Sequence, residues 1–406
     1  MFAAEAVRRV RNCLRANRTS PEESPVPRAV VVSNVGSFGG GGVICFRDAL
    51  LALREKRPDM EVIAVFPQKG DAAQACAEHG VRTKIAWVPW WGFGKWWRFR
   101  YLEPHVVIGW LPYNILLIPG IVQALALFIR ERPTVVVTNT MTIPSHAIAA
   151  KILGIPHYWM VDEFGRDDHG LWFLYGYART VRLVGRLSHT AICISQAVEK
   201  AVLAIDPAMK TVVFYPAVDT PLCAPTERRP GERLRTVLAG YLSQAKGQRL
   251  AIEAVAVARK AGVDIELSLI GTGNQQPFHA LAQRLGVEDL VTIHGPTRDL
   301  GPYWAAAHVG LMCSQSEAFG RVTVEAMRAG LPVCGTNSGG TPEIIQSGVA
   351  GLLSPAGDAN ALAANLMALE ADEDLRRRLA HGAAESVRRF QRDRHDAEFA
   401  AILGLR

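Results

Sequence analysis

Short apolar runs recur along the chain, each followed by a loop containing glycine or proline and then by a stretch with helical spacing. The run at 29–33 reads as a strand, a glycine loop ends it at 39–42, and a helix is expected from about 43 to 56. Further runs at 61–66, 82–87, 134–138, 156–161 and 190–194 read as buried parallel strands separated by helical stretches. A proline-rich passage at 216–230, with Pro216, Pro221, Pro225 and Pro230, reads as a hinge. Beyond it the alternation restarts, with strands at 235–239, 265–270, 291–294, 309–313 and 332–335 and helices at 247–261, 277–285 and 322–330. A closing helix over about 372–405 is expected to bend near its middle and to return to the first domain. Repeated βα units on both sides of one hinge predict an α/β protein of two doubly wound, Rossmann-like domains facing each other across a cleft. The expected division is an extension at 1–27, a first domain at 28–218, a second at 219–385 and a C-terminal helix at 386–406.

A length of 406 residues suits two such domains. With 49% hydrophobic and 20% charged residues, the chain is neither disordered, collagenous nor a disulfide scaffold. A net charge of +7 is compatible with anionic small molecules, a membrane surface or nucleic acid. No basic helix or recognised binding motif supports nucleic acid, which is not expected as a partner. Seven scattered cysteines without a CxxC pair read as reduced thiols of a cytoplasmic protein rather than a zinc site. In the extension, Val7, Val10 and Leu14 form one face of a candidate amphipathic helix, and 19–27 has linker composition. No hydrophobic segment of a signal peptide is visible after its arginines. The longest apolar stretch, 115–129, is too short to span a bilayer and contains Pro119 and Gln123, so it reads as a buried helix.

The chemistry concentrates in the run from Ser314 to Val333. Glu317 ends a loop after a strand, Gly320 permits a tight turn, and Glu325 falls in the first turn of the next helix. A carboxylate there can accept both hydroxyls of a ribose while the other reaches a sugar hydroxyl, and the exposed amides at the helix start suit a phosphate. Such a glutamate pair on a generic α/β fold would carry no meaning alone; its context does.

These residues resemble the retaining glycosyltransferases of family 4, which have the GT-B fold. Glu317 and Glu325 match that family's E-x7-E motif, and Gly339-Gly340-Thr341-Pro342-Glu343-Ile344-Ile345 matches the segment that follows it. The resemblance extends to Ile270-Gly271-Thr272-Gly273, to Gly240 with Lys246-Gly247, to Ile194-Ser195-Gln196-Ala197-Val198 and to the glycine loop. It implies a nucleotide-diphosphate sugar as donor substrate, with no cofactor. Glu325 would hold the ribose, Glu317 the transferred sugar, the amides of Phe319 and Gly320 the diphosphate, and Gly240 and Gly271 would border the donor. Lys246 would neutralise the leaving nucleotide; taken alone it reads as a solvated helix-cap lysine. Where the family often has an arginine after Gly240, this chain has Tyr241, and Arg321 is the candidate replacement. The plain alternative is that Arg321 pairs with a neighbouring acid.

By the same resemblance the first domain binds the acceptor. Gly39, Gly40 and Gly41 would border the diphosphate and acceptor, unless they form only a flexible turn. Where many members place a histidine, this chain has Asp162 and Glu163, with His169 further along the loop. A carboxylate there would orient the acceptor hydroxyl; an acidic cluster is otherwise a solvated loop. No metal is expected: no Asp-x-Asp metal motif for a nucleotide diphosphate is recognised, and no HExxH or Cys/His cluster occurs. The implied activity is a retaining, metal-independent, hexosyltransferase-type transfer to a glycan or lipid-linked glycan. Two alternatives remain: a non-catalytic partner that binds sugar nucleotide or assembles other transferases, and a sugar-nucleotide epimerase. The passage 87–101 holds five of the nine tryptophans with Lys95, Arg98 and Arg100 among them. It predicts either a membrane-resting surface on the inner face or an aromatic core.

Overall fold

The computed structural model describes residues 26–38, 41–93, 105–165, 168, 170–219, 221, 227–229, 231–297 and 299–404, with the backbone alone at 41, 93 and 105–113. The chain divides into two compact units, the described residues up to Ala217 together with those from Asp393 on, and Val218–Arg392.

In the first unit the elements follow as β1 (Arg28–Val32), α1 (Gly41–Lys56), β2 (Glu61–Phe66), α2 (Asp71–Glu78), β3 (Arg82–Ile85), β4 (Gly92–Phe93), α3 (His105–Glu131), β5 (Val135–Asn139), α4 (Ser145–Leu153), β6 (His157–Val161), β7 (Trp172–Phe173), α5 (Tyr177–Leu187), β8 (Thr190–Cys193), α6 (Gln196–Leu203) and β9 (Thr211–Val213). Seven strands form one parallel sheet in the order β3-β2-β1-β5-β6-β8-β9, while β4 and β7 pair apart from it, antiparallel. Side chains alternate across β1, so Val30 and Val32 join Ile63, Val136, Ala124 and Phe128 on one face. Ala29 and Val31 join Phe46, Leu50 and Leu53 on the other. Both faces are apolar because helices cover both, which is why the strands are continuous apolar runs.

The second unit contains β10 (Leu234–Ala239), a 3-10 turn at Gln244–Lys246, α7 (Gln248–Lys260), β11 (Ile265–Ile270), α8 (Gln276–Leu285), β12 (Val291–His294), α9 (Gly301–Ala306), β13 (Val309–Met312), α10 (Arg321–Arg328), β14 (Val333–Thr336), α11 (Thr341–Ile344), β15 (Gly351–Ser354), α12 (Ala359–Ala371) and α13 (Glu373–Ser386). Its parallel sheet has the order β12-β11-β10-β13-β14-β15. In each sheet the strand order reverses beside its first strand, at β1/β5 and at β10/β13. Loops leaving the carboxyl ends of those strands are where doubly wound sheets bind ligands.

Several expectations need correction. The glycine loop is shorter than read, because α1 already begins at Gly41. Strands β9 and β15, three and four residues long at sheet edges, escaped the sequence reading. The strand read over 82–87 stops at Ile85. The closing helix is three pieces: α13, a 3-10 turn at Val387–Phe390, and α14 (Arg392–Ile402), separated at Gln391 by extended backbone. Phe399 and Leu403 bury against Phe46 and Phe214 in the first unit's core, each such side chain contributing roughly 1.5–3 kcal/mol. The stretch 115–129 is helical, but it is buried on one side only: Leu117, Ala124 and Phe128 are buried, while Ile115, Leu116, Ile118, Val122 and Ile129 face outward. Of the tryptophan-rich passage, Trp91 is core, stacked on Trp159 at 5.8 Å, while Trp87 is exposed and 94–101 lie outside the described residues. The extension at 1–25 and parts of the proline-rich passage lie outside them as well.

Candidate functional site

The second unit gathers its polar groups where β10 and β13 diverge. Gly240 follows β10, and its amide donates to Ile270 O at 2.9 Å. Gly271 follows β11 so closely that a Cβ there would lie 1.9 Å from Gly240 O. The chain then turns through Gln244–Lys246, and Gly247 lets it pass β13: its φ is +76, and a Cβ would lie 1.9 Å from Cys313 O. Gln315 N donates to Ala245 O at 3.1 Å, which ties this turn to the loop after β13.

Lys246 is thereby brought to the loop of Glu317. Its Nζ lies 2.7 Å from Glu317 Oε2, and the Ser314 hydroxyl donates to the same oxygen at 2.8 Å. From the other side Gly340 N donates to Glu317 O at 2.7 Å. Gly339, at φ +58, packs so tightly that a Cβ would lie 2.3 Å from that carbonyl. Ser338 Oγ donates to Gln315 O at 2.5 Å and Thr336 Oγ1 to Ser314 O at 2.6 Å. Residues 336–340, which include the two glycines that open the Gly-Gly-Thr-Pro-Glu segment, thus form a clamp on the backbone that carries Glu317. Phe319 is buried edge-on against Phe390 at 5.3 Å, and Gly320 sits as the N-cap of α10.

Glu325 is the fifth residue of α10, one turn inside it rather than in its first turn. Burial raises its pKa, and Arg321, whose Nε lies 3.2 Å from Glu325 Oε1, opposes that rise. Arg321 therefore pairs with the neighbouring acid in this structure. Tyr241 is 61% exposed, and its carbonyl accepts from Gln248 Nε2 at 3.0 Å.

In the first unit, Asp162 and Glu163 leave the carboxyl end of β6. The two carboxylates are used differently. Glu163 is buried, and both its oxygens accept backbone amides, Met141 N at 2.8 Å and Asp162 N at 3.2 Å. Among the described residues Asp162 Oδ2 has no hydrogen-bond partner, and it lies 3.6 Å from where a Cβ on Gly42, in the first turn of α1, would stand. It lines a small cavity with Cys45, Met160, Ile194, Phe214 and His395. Burial pushes Asp162 up to about 7, and burial together with the Asp162 charge raises Glu163 well above its usual value. Gly39, Gly40 and His169 lie outside the described residues, and only the backbone of Gly41 is described.

The sequence reading missed Ser314, although its Ser-x-x-Glu spacing to Glu317 was a usable signal. It also passed over Asp372-Glu373-Asp374, which has Asp-x-Asp spacing; Asp372 there caps α13 by accepting from Leu375 N at 2.8 Å. Among the described residues no group of three or more His, Cys, Asp or Glu could hold a metal ion.

Residues 225–386 match the family described as glycosyl transferases group 1. A D-inositol 3-phosphate glycosyltransferase of Streptomyces bingchenggensis (strain BCW-1) is 32% identical over 218 residues, covering 48% of each chain. The lipopolysaccharide core biosynthesis glycosyltransferase LpsE of Rhizobium meliloti (strain 1021) is 32% identical over 220 residues, 54% of this chain and 56% of that one. The chain thus spans about half the length of these curated relatives. Among solved structures, Anabaena Alr3699/HepE in complex with UDP superposes with a TM-score of 0.72 at 21% identity, covering 93% of this chain and 99% of that one. The fold is that of the GT-B glycosyltransferases.

Proposed function

We propose that the protein is a retaining, metal-independent glycosyltransferase. It moves a sugar from a nucleotide-diphosphate sugar to a glycan or lipid-linked glycan in cell-surface polysaccharide or glycolipid synthesis. It works in the cytoplasm, at the inner face of the membrane. The observation that carries this reading is the Lys246–Glu317–Ser314 cluster at the β10/β13 divergence, one loop from the N-terminus of α10. The match of 225–386 to glycosyl transferases group 1 supports it, as do the names of the relatives. Retention and metal independence rest on the resemblance around Glu317 and Glu325 alone.

In this mechanism Glu325 accepts the ribose hydroxyls and the α10 amides face the diphosphate. Lys246 turns from Glu317 to the departing phosphate, an electrostatic role of the kind that dominates many transfers. Glu317, still held by Ser314, accepts from a hydroxyl of the transferred sugar. The acceptor oxygen bonds to the anomeric carbon on the face from which the phosphate leaves, and the leaving phosphate oxygen takes the acceptor's proton. Of the two first-unit carboxylates, Asp162 is the one with an oxygen to spare to orient the acceptor hydroxyl before its proton passes to the phosphate, since Glu163 spends both on the backbone.

The test is calorimetry with nucleoside diphosphates, followed by nuclear magnetic resonance of the product made from the matching sugar nucleotide. An α-linked donor giving an α-linked product supports retention. Tight nucleotide binding with no transfer to any glycan would favour the non-catalytic reading, and epimerised nucleotide without acceptor would favour the epimerase.

A further inference from the structure

We propose that the outward face of α3, flanked by Trp87 and by a cluster of cations at its C-terminal end, docks on an anionic lipid bilayer. This rests on the membrane location in the proposed function and names the surface that would provide it, but it stands or falls apart from the transfer reaction itself. The helix is 27 residues long, roughly 40 Å at 1.5 Å per residue. Its inner side is accounted for: Ala124 and Phe128 pack into the core of the first unit, and Gly120 fits against Pro89.

A helix with one buried side normally turns charged and polar residues to water. This one does not. Ile115, Leu116, Ile118, Val122 and Ile129 are 45–58% exposed, and the window Asn114–Glu131 has a mean hydropathy of 1.5 with 28% of it buried. Among the described side chains the face has few polar residues, and these are engaged: Gln123 Oε1 accepts from Trp87 N at 2.7 Å, and Asn114 Oδ1 accepts from the Tyr175 hydroxyl. Trp87 is 53% exposed and is fixed at the flank by its indole N–H, which donates to Leu116 O at 3.1 Å. An amphipathic indole beside an aliphatic ridge is the arrangement that favours the headgroup level of a bilayer.

The charges select the lipid. At the end of α3, Arg82, Lys84 and Arg130 converge on Glu131, and Arg28 and Arg82 share Glu61. Arg132 follows, exposed. Five cations against two carboxylates leave an excess of three positive charges beside the apolar ridge, complementary to anionic headgroups. The helix lies on the surface rather than crossing it, because crossing would strip Ala124 and Phe128 from the core they pack in.

Co-sedimentation of the full chain with vesicles of phosphatidylglycerol and phosphatidylcholine, against phosphatidylcholine alone, tests this. The expected result is binding to the anionic vesicles that falls with salt. It should be lost by tenfold or more in Ile118→Asp/Val122→Asp and weakened about fivefold in Arg130→Gln. Thermal midpoints and nucleotide-diphosphate affinity should stay unchanged, since these side chains lie outside the core and the donor groups. Wild-type protein that ignores anionic vesicles, or variants that bind them as well, would overturn the proposal. A concentration-dependent dimer abolished by Ile118→Asp/Val122→Asp would assign the face to a second copy instead. Loss of transfer with vesicle binding intact would count against the transferase reading and leave this one standing.

Discussion

Lys246 Nζ and Glu317 Oε2 lie 2.7 Å apart although 71 residues separate them in the chain. The cation assigned to the diphosphate and the carboxylate assigned to the sugar therefore hold each other when no donor is bound. The side chains are 28% and 13% exposed, so solvent screens the pair and it contributes about 1 kcal/mol at most. That is little to give up when a diphosphate arrives. Glu317 does not depend on it for position, because Ser314 and the Gly339–Gly340 clamp hold the loop from the other sides.

Removing either member should therefore have opposite effects on nucleotide binding. In Lys246→Ala a charge-assisted contact of roughly 1.5–3 kcal/mol is lost, and nucleotide-diphosphate affinity should fall tenfold or more. In Glu317→Ala the lysine is released from its partner, so affinity should hold or rise while transfer collapses. Isothermal titration beside a turnover assay separates the two; parallel losses in both variants would contradict the division of roles.

If Glu325 binds the ribose as proposed, its burial serves that binding at a cost to stability. Its carboxyl is raised above the usual value by desolvation, partly offset by Arg321. A raised acid contributes stability that is full below its unfolded value of 4.5 and is lost as pH rises through the folded value. Glu325→Gln should thus leave the free protein at least as stable at pH 7, yet weaken nucleotide binding by tenfold or more. Melting curves with and without nucleoside diphosphate should cross over accordingly.

How much of this was legible varies with the physics of each feature. The strands Glu61–Phe66, Ile265–Ile270 and Val291–His294 were readable to the residue, because short apolar runs bounded by turn residues have few other uses. The Arg321–Glu325 pair entered only as the plain alternative to a diphosphate-binding Arg321, with the acid unnamed, although its four-residue helical spacing was a usable signal. The Lys246–Glu317 pair had no such signal, since it exists only because β10 lies beside β13. Nor could periodicity tell that α3 is covered on one side only: an apolar helix looks the same in sequence whether its second face meets protein or something else. The difference between Asp162 and Glu163 was equally invisible, as it depends on where Met141 N points.

The Gly339 clamp makes a sharper prediction than any charged residue. At φ +58, with a Cβ due 2.3 Å from Glu317 O and 2.8 Å from Glu317 N, Gly339→Ala must displace the backbone that carries Glu317. A cost on the order of 1–3 kcal/mol is expected from strain of this kind. Transfer should fall in the same variant, with nucleotide affinity less affected because Glu325 stands on a separate helix. Gly348→Ala, at φ +81 with no atom within 4 Å of the added carbon, is the control: it carries the backbone penalty without the displacement. Transfer as low in the control as in Gly339→Ala would show that the clamp has no role of its own.

Asp162 carries two linked expectations. Burial pushes its carboxyl up from the usual 3.8 to about 7, so stability is full below about pH 3.8 and lost as pH rises through about 7. The slope is at most about 1.4 kcal/mol per pH unit within that window. Asp162→Asn has no proton to lose there, so the gap in melting temperature between variant and wild type should widen by several degrees from pH 4 to pH 8. On the proposed acceptor role the same ionisation sets the rate: a carboxylate accepts from the acceptor hydroxyl, whereas the acid does so poorly, so kcat/KM should climb with pH through about 7. In Asp162→Asn the rate should be lower and that rising limb absent. A buried acid with a merely structural role would alter the melting profile alone, and an unchanged rate profile in the variant would remove Asp162 from the acceptor site.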